Sequence, residues 1–141
     1  MTRINLVPPT ELYDQHLLAE YRETRLLAKN MHRYFKANQT KNNIPKQFTL
    51  NTGHCLFFKD KGLYIHNRYG ILRQELINRG YNPQYEELDV TAWKTGFYND
   101  WNPTERDMNI IRERIKEKVA LKPNWYRYYG KPITQQIEDK K

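Results

Sequence analysis

One cysteine, Cys55, stands in a chain of 141 residues. That excludes an internal disulfide and a cysteine-built zinc cluster. Its apolar neighbours in Cys55-Leu56-Phe57-Phe58 predict a buried, inert thiol in a reducing compartment. No apolar run approaches the length of a membrane span, and the N-terminus lacks a signal-peptide core, so a soluble, intracellular protein without membrane contact is expected. Gly-rich phosphate loops and nucleophile elbows are missing, as are internal repeats and low-complexity stretches. His16, Glu20 and Glu23 share one helix face, but carboxylate metal sites need a matching set on a facing helix, and the other two helices offer no Glu-x-x-His; neither a metal nor any cofactor is expected. The Gly53-His54 pair reads as a turn beside a satisfied histidine.

Acids are the scarce charge. Twenty-four Lys and Arg against sixteen Asp and Glu leave a formal charge of +8, which favours a polyanionic partner. The imbalance is local. Residues 22–47 carry Arg22, Arg25, Lys29, Arg33, Lys36, Lys41 and Lys46 against Glu23 alone, whereas residues 85–107 are acidic. A fold that keeps this segregation has one basic side.

The length suits a single domain, 1–141, with one core. Three helical patterns are legible. From about Asp14 to about Ala37, Leu17, Tyr21, Thr24, Ala28, Met31 and Phe35 recur at steps of four and three. One position on, Arg22, Arg25, Lys29, Arg33 and Lys36 repeat the rhythm, a cationic stripe about 100° around the same helix. A solvated face is the plain alternative, weakened by the lack of interspersed acids. The second helix spans roughly Leu63 to Asn78, with Ile65, Tyr69, Leu72 and Leu76 inward and Gly80 placed to end it. The third begins at Thr104, a capping residue for the amide near Asp107. It buries Met108, Ile111, Ile115 and Val119, and Pro123 marks its end. Residues 38–53 and 81–103 read as loops, and no alternation is long enough for a sheet. The expected fold is all-α: a compact single domain of three helices joined by long irregular loops.

Two places allow reaction chemistry. Removal of Met1 would leave an α-amine on Thr2, and an α-amine titrates near 7.7–8.0 against about 10.4 for lysine, so a usable fraction is neutral at physiological pH. Arg3 and Arg22 nearby would lower it further. Such an amine can form an imine with a sugar carbon, after which β-elimination breaks the adjacent phosphodiester. Every chain has an N-terminus, however, and most are inert. Glu23, alone beside the cations, could stabilise positive charge on a sugar or move a proton; an ordinary surface ion pair is the alternative. The tail Trp125-Tyr126-Arg127-Tyr128-Tyr129-Gly130-Lys131 interleaves rings with cations, a composition suited to nucleobases and phosphates, or else to capping a small core.

Met1-Thr2-Arg3-Ile4-Asn5-Leu6, Asp14-Gln15-His16-Leu17 and Ala19-Glu20-Tyr21-Arg22-Glu23 closely resemble the phage endonuclease V family, pyrimidine-dimer DNA glycosylases with abasic-site lyase activity. The likeness resumes at Gly53-His54, at Phe57-Phe58, at Asp60-Lys61 and at Arg79-Gly80. It closes with Pro123, Trp125-Tyr126, Tyr128-Tyr129-Gly130-Lys131 and Ile133. The resemblance implies an all-α fold whose N-terminal segment threads between the first and third helices, with Thr2 as nucleophile and Glu23 as catalytic carboxylate. It implies DNA-backbone contacts for Arg3, Arg22, Arg114 and Lys118, a place in the active site for His16, and substrate binding by Trp125, Tyr126, Arg127, Tyr128 and Tyr129, with Lys131 beside them. A further implication is a kinked duplex with a flipped-out adenine, whose deformation cost a damaged step reduces. The chain departs from the family at Leu26, where an arginine is expected and where Arg25 takes its role from another angle, and in 81–103. The expected partner is double-stranded DNA containing damaged pyrimidines, bound by a monomer. Two alternatives stay open: a non-catalytic basic DNA-binding module, and the same chemistry on another modified pyrimidine.

Overall fold

In the computed structural model, the described residues are 4–36, 44–50, 53–84 and 87–133; within 32–36 only Arg33 has a described side chain. Four α-helices run through them: α1 Asp14–Lys36, α2 His54–Phe57, α3 Gly62–Asn78 and α4 Glu105–Leu121. Single 3-10 turns occupy Pro9–Glu11 and Phe58–Asp60. The tail forms a two-stranded antiparallel ribbon, β1 Arg127–Tyr128 with β2 Lys131–Pro132. The three long helices fall where their apolar periods put them. The expected count of three is corrected by α2, a four-residue turn too short to show a period, and the sheet-free expectation by the ribbon.

The expected inward faces are inward where they are described, Met108 and Val119 being half-buried; Phe35 carries no described side chain. Leu17, Tyr21, Thr24, Ala28 and Met31 of α1 meet Ile65, Tyr69, Leu72 and Leu76 of α3 in one core, which Ile111 and Ile115 of α4 join. Thr104 and Asp107 form a reciprocal capping box at the start of α4, their bonds 3.0 and 3.2 Å long. Gly80, at φ +90°, closes α3 in the left-handed region.

The acidic segment 87–103 is a structural loop that seals α3. The carbonyls of Phe97 and Asn99 accept from the amides of Gly62 and Tyr64, two donors that a helix start leaves without intrahelical partners. Trp93 lies against Gly62 so closely that a Cβ there would come within 2.5 Å of its ring. Trp101 packs edge-on to Phe57, Phe58 and Tyr64, which completes an aromatic wall.

The N-terminal segment is interior. Ile4, Asn5, Leu6 and Val7 are buried. The Arg68 guanidinium of α3 holds this segment by donating to the carbonyls of Leu6 and Val7 (3.3 and 2.7 Å). Arg68 is itself fixed by a bidentate pair with Glu20 of α1, at 2.6 and 2.9 Å. Both side chains are almost wholly out of water, where a charge persists only if paired. Leu6 is bent into the left-handed region at φ 58°, a costly conformation for a side-chain-bearing residue that the surrounding bonds enforce.

Candidate active site

The short α2 organises the site. Its first residue, His54, is buried with both ring nitrogens engaged: Nε2 accepts from the Ile4 amide at 3.0 Å, and Nδ1 donates to the Thr49 carbonyl at 2.8 Å. Those partners set the tautomer, and they make His54 the satisfied histidine its sequence context suggests. Its role is to anchor the chain at Ile4. The next residue, Cys55, places its thiol 3.7 Å from the Glu23 carboxylate of α1. One turn further on, Lys59 is buried, and its ammonium feels both Cys55 and Glu23. Burial pushes the Lys59 pKa below the usual lysine range; the two neighbours oppose that shift. The expectation of a buried, inert thiol at Cys55 is corrected: Cys55 is half-buried, because α2 turns it toward α1 rather than into the core.

Two turns before Glu23, His16 faces α4. Its ring stacks on Tyr126 (centroids 4.8 Å apart, planes 14° apart), and Nδ1 is buried with no hydrogen-bond partner among the described residues. Burial first, then the charges of Arg114 and Lys118, lower its pKa from the ordinary 6.5 to about 4. His16 is thus a neutral imidazole at physiological pH. Arg114 and Lys118, one turn apart on α4, are near enough to His16 for their charges to act on it.

Along the outer face of α1, Arg22, Lys29 and Arg33 are exposed and Arg25 is half-buried. Lys36 carries no described side chain. Thr2 and Arg3 lie outside the described residues. The chain reaches the site at Ile4, beside His54.

The tail divides in a way its composition does not reveal. Trp125 is 52 % exposed, with the Lys122 ammonium 5.3 Å from its ring centroid. Tyr126 is buried beneath His16. The rings of Tyr128 and Tyr129 both lie against the Arg79 guanidinium, at 4.7 and 4.8 Å. Their hydroxyls donate to the Thr10 carbonyl and to Glu75. Arg127 and Lys131 are exposed on the ribbon. Two rings of the four, Trp125 and Tyr129, keep exposed surface, while Tyr126 is buried and the hydroxyls of Tyr128 and Tyr129 are bonded into the fold.

Residues that sequence reasoning missed are Lys59 and Cys55 beside Glu23, and Asp14 and Arg79 behind the ribbon. A lysine four positions after a cysteine in an otherwise apolar run was the available signal for the first pair. Among the described residues no group of three or more His, Cys, Asp or Glu is arranged to hold a metal, and Glu20 is committed to Arg68. An open groove of about 810 Å³ between α3 and residues 87–91 includes none of the expected site residues.

A model of the pyrimidine dimer DNA glycosylase family matches residues 1–88, more than half of the chain. The chain belongs to that family. Membership carries the general activity, excision at pyrimidine dimers, and DNA as the substrate. The matched span holds α1, α2 and α3, hence Glu23, His54, Cys55 and Lys59; α4 and the ribbon lie beyond it. No helix among the described residues of this glycosylase is long and apolar enough to cross a membrane.

Proposed function

We propose that this glycosylase works through an imine on the α-amine of Thr2, with Glu23 as the catalytic carboxylate, and that it also cleaves the strand at the resulting abasic site. The observation that carries the reading is the path through α2. The Ile4 amide is held 3.0 Å from His54, and the neighbouring Cys55 touches Glu23. Thr2 precedes Ile4 by two residues, a reach of at most about 7 Å. The proposed mechanism requires that tether to bring the amine to the Glu23 carboxylate.

The amine nitrogen attacks C1′ of the damaged nucleotide, and the glycosidic electron pair leaves with the base, which takes up a proton. Loss of an amine proton and opening of the sugar ring, with its oxygen protonated, give a protonated imine. Removal of a C2′ proton then expels the 3′ phosphate, and water releases the amine. Glu23 stabilises the positive charge that develops on the sugar and carries the proton during elimination. His16, neutral beside Arg114 and Lys118, lines the same face of α1 as Glu23 and adds no charge of its own to theirs. Arg3, Arg22, Arg25, Lys29, Arg33, Arg114 and Lys118 hold the DNA backbone, with Trp125, Arg127 and Lys131 extending the contact. The chain acts as a single-domain monomer.

Borohydride added during reaction with a duplex carrying one photodimer should trap a covalent protein–DNA adduct, and acetylation of the N-terminus should abolish it. Trapping that survives acetylation removes Thr2 from the mechanism. Glu23→Gln should bind the duplex normally yet lose cleavage by about two to four orders of magnitude; undiminished cleavage dismisses the carboxylate.

A further inference from the structure

Leucine at position 26 is out of place. Its side chain is 51 % exposed on the outer face of α1. At 100° per residue, positions 22, 26, 29 and 33 lie within an arc of about 60°. Three of them are the exposed cations Arg22, Lys29 and Arg33, and the fourth is Leu26. A lone exposed leucine is ordinary on a protein surface. This one interrupts a row of cations that has no acid in it. It also follows Glu23 by three positions, which places their Cβ atoms about 5–6 Å apart. Among the described residues, the other strongly exposed aliphatic side chains, Ile71, Ile77 and Leu121, belong to α3 and α4.

We propose that Leu26 is a wedge that enters the DNA duplex beside the lesion and unstacks the flanking base step, so that damage is recognised by how easily that step opens. The proposal rests on the reading of Arg22, Lys29 and Arg33 as phosphate contacts and of Glu23 as the reacting carboxylate. Cations on either side along the helix would hold backbone phosphates, and the leucine between them would then face the groove. A leucine cannot bond to base edges or phosphates; what it gains there is burial against unstacked bases. Inserting it costs the stacking energy of one step, which is least where the stack is already distorted by a photodimer. Burying Leu26 therefore favours damaged over intact duplex, whereas the neighbouring cations bind both alike.

The test uses the full chain and a duplex with one photodimer and 2-aminopurine in the flanking step, whose fluorescence rises when the step opens. Wild type and Leu26→Met should brighten the reporter. Leu26→Ser should lose most of the rise, and its preference for dimer over intact duplex should fall about tenfold. Its binding to intact DNA at equal salt, and its borohydride trapping on a preformed abasic site, should match wild type. A Leu26→Ser protein that brightens the reporter and keeps full preference overturns the wedge. So does one that loses trapping at the abasic site, which would assign Leu26 to the chemistry or the fold. If wild type itself shows no preference for the dimer, the underlying reading of the site fails first and the wedge falls with it.

Discussion

At the scale of single residues, His16 shows how burial converts a common side chain into a specialised one. Its stack on Tyr126 removes the ring from water, and Arg114 and Lys118 repel a proton, so the folded protein holds its pKa near 4. The unfolded chain protonates at the ordinary 6.5. Between those values the unfolded state binds a proton that the folded state refuses, so stability falls as pH drops from about 6.5 toward 4. The loss expected is on the order of 2–3 kcal/mol. Urea titrations across that window should show it for wild type and much less of it for His16→Phe, which keeps a ring against Tyr126 without a titrating group. Equal pH dependence in both proteins would assign the acid sensitivity to other groups. The family resemblance singles out His16. Its neutrality was not legible in the sequence, because that depends on cations nearly a hundred positions away in the chain.

Among the elements, the ribbon is the clearest case of tertiary control. Two residues per strand cannot support themselves. Its turn, Tyr129-Gly130, has φ of 53° and 79°, the pattern of a type I′ hairpin turn, in which the tyrosine tolerates a conformation that glycine adopts freely. The amides of Tyr129 and Gly130 donate to the two oxygens of Asp14 at the start of α1, at 3.1 and 2.8 Å. Arg79 donates to the same carboxylate at 2.9 Å and to Glu75 at 2.9 Å. Asp14 thus latches the C-terminal ribbon to α1 and to the end of α3. Asp14→Ala leaves the buried guanidinium with one carboxylate and two amides without an acceptor, at an expected cost of about 3 kcal/mol. Differential scanning calorimetry would measure it. Hydrogen exchange should quicken first at Tyr129 and Gly130, and a variant that unfolds with wild-type stability would refute the latch. The three long helices were readable in advance because burial along a helix repeats every three to four residues. The one-turn α2 and the ribbon have too few residues for any period, and their partners are distant in sequence.

Across the whole molecule, charge segregation becomes geometry. Arg22, Lys29 and Arg33 line α1, and Arg114 with Lys118 on α4 approaches the same helix at His16. From position 16 to position 33 the track runs about 25 Å along the helix axis. The seven cations proposed to hold the backbone, each neutralising one phosphate, predict that log affinity for DNA falls with log salt at a slope of about −6.3. Arg22→Ala and Lys118→Ala should each flatten the slope by about 0.9. A fluorescence-anisotropy series over salt concentration checks this, and a flat response would deny the backbone contacts. The acidic segment that breaks up the charge pattern serves a different end, closing the start of α3 with Trp93 and the carbonyls of Phe97 and Asn99.

By itself the chain's order of residues determined the three long helices, their inward faces, the capping box at Thr104, the basic face of α1 and the family. Each of these is a local or periodic property, set by a residue and its neighbours within a turn or two. Only the tertiary structure decided that His54 and Arg68 anchor the N-terminal segment, that Lys59 and Cys55 adjoin Glu23, and that three of the four tail rings are tied into the fold. Those outcomes depend on which side chains share a low-dielectric interior after the helices pack, and contacts across 32 to 118 residues leave no periodic trace in the sequence.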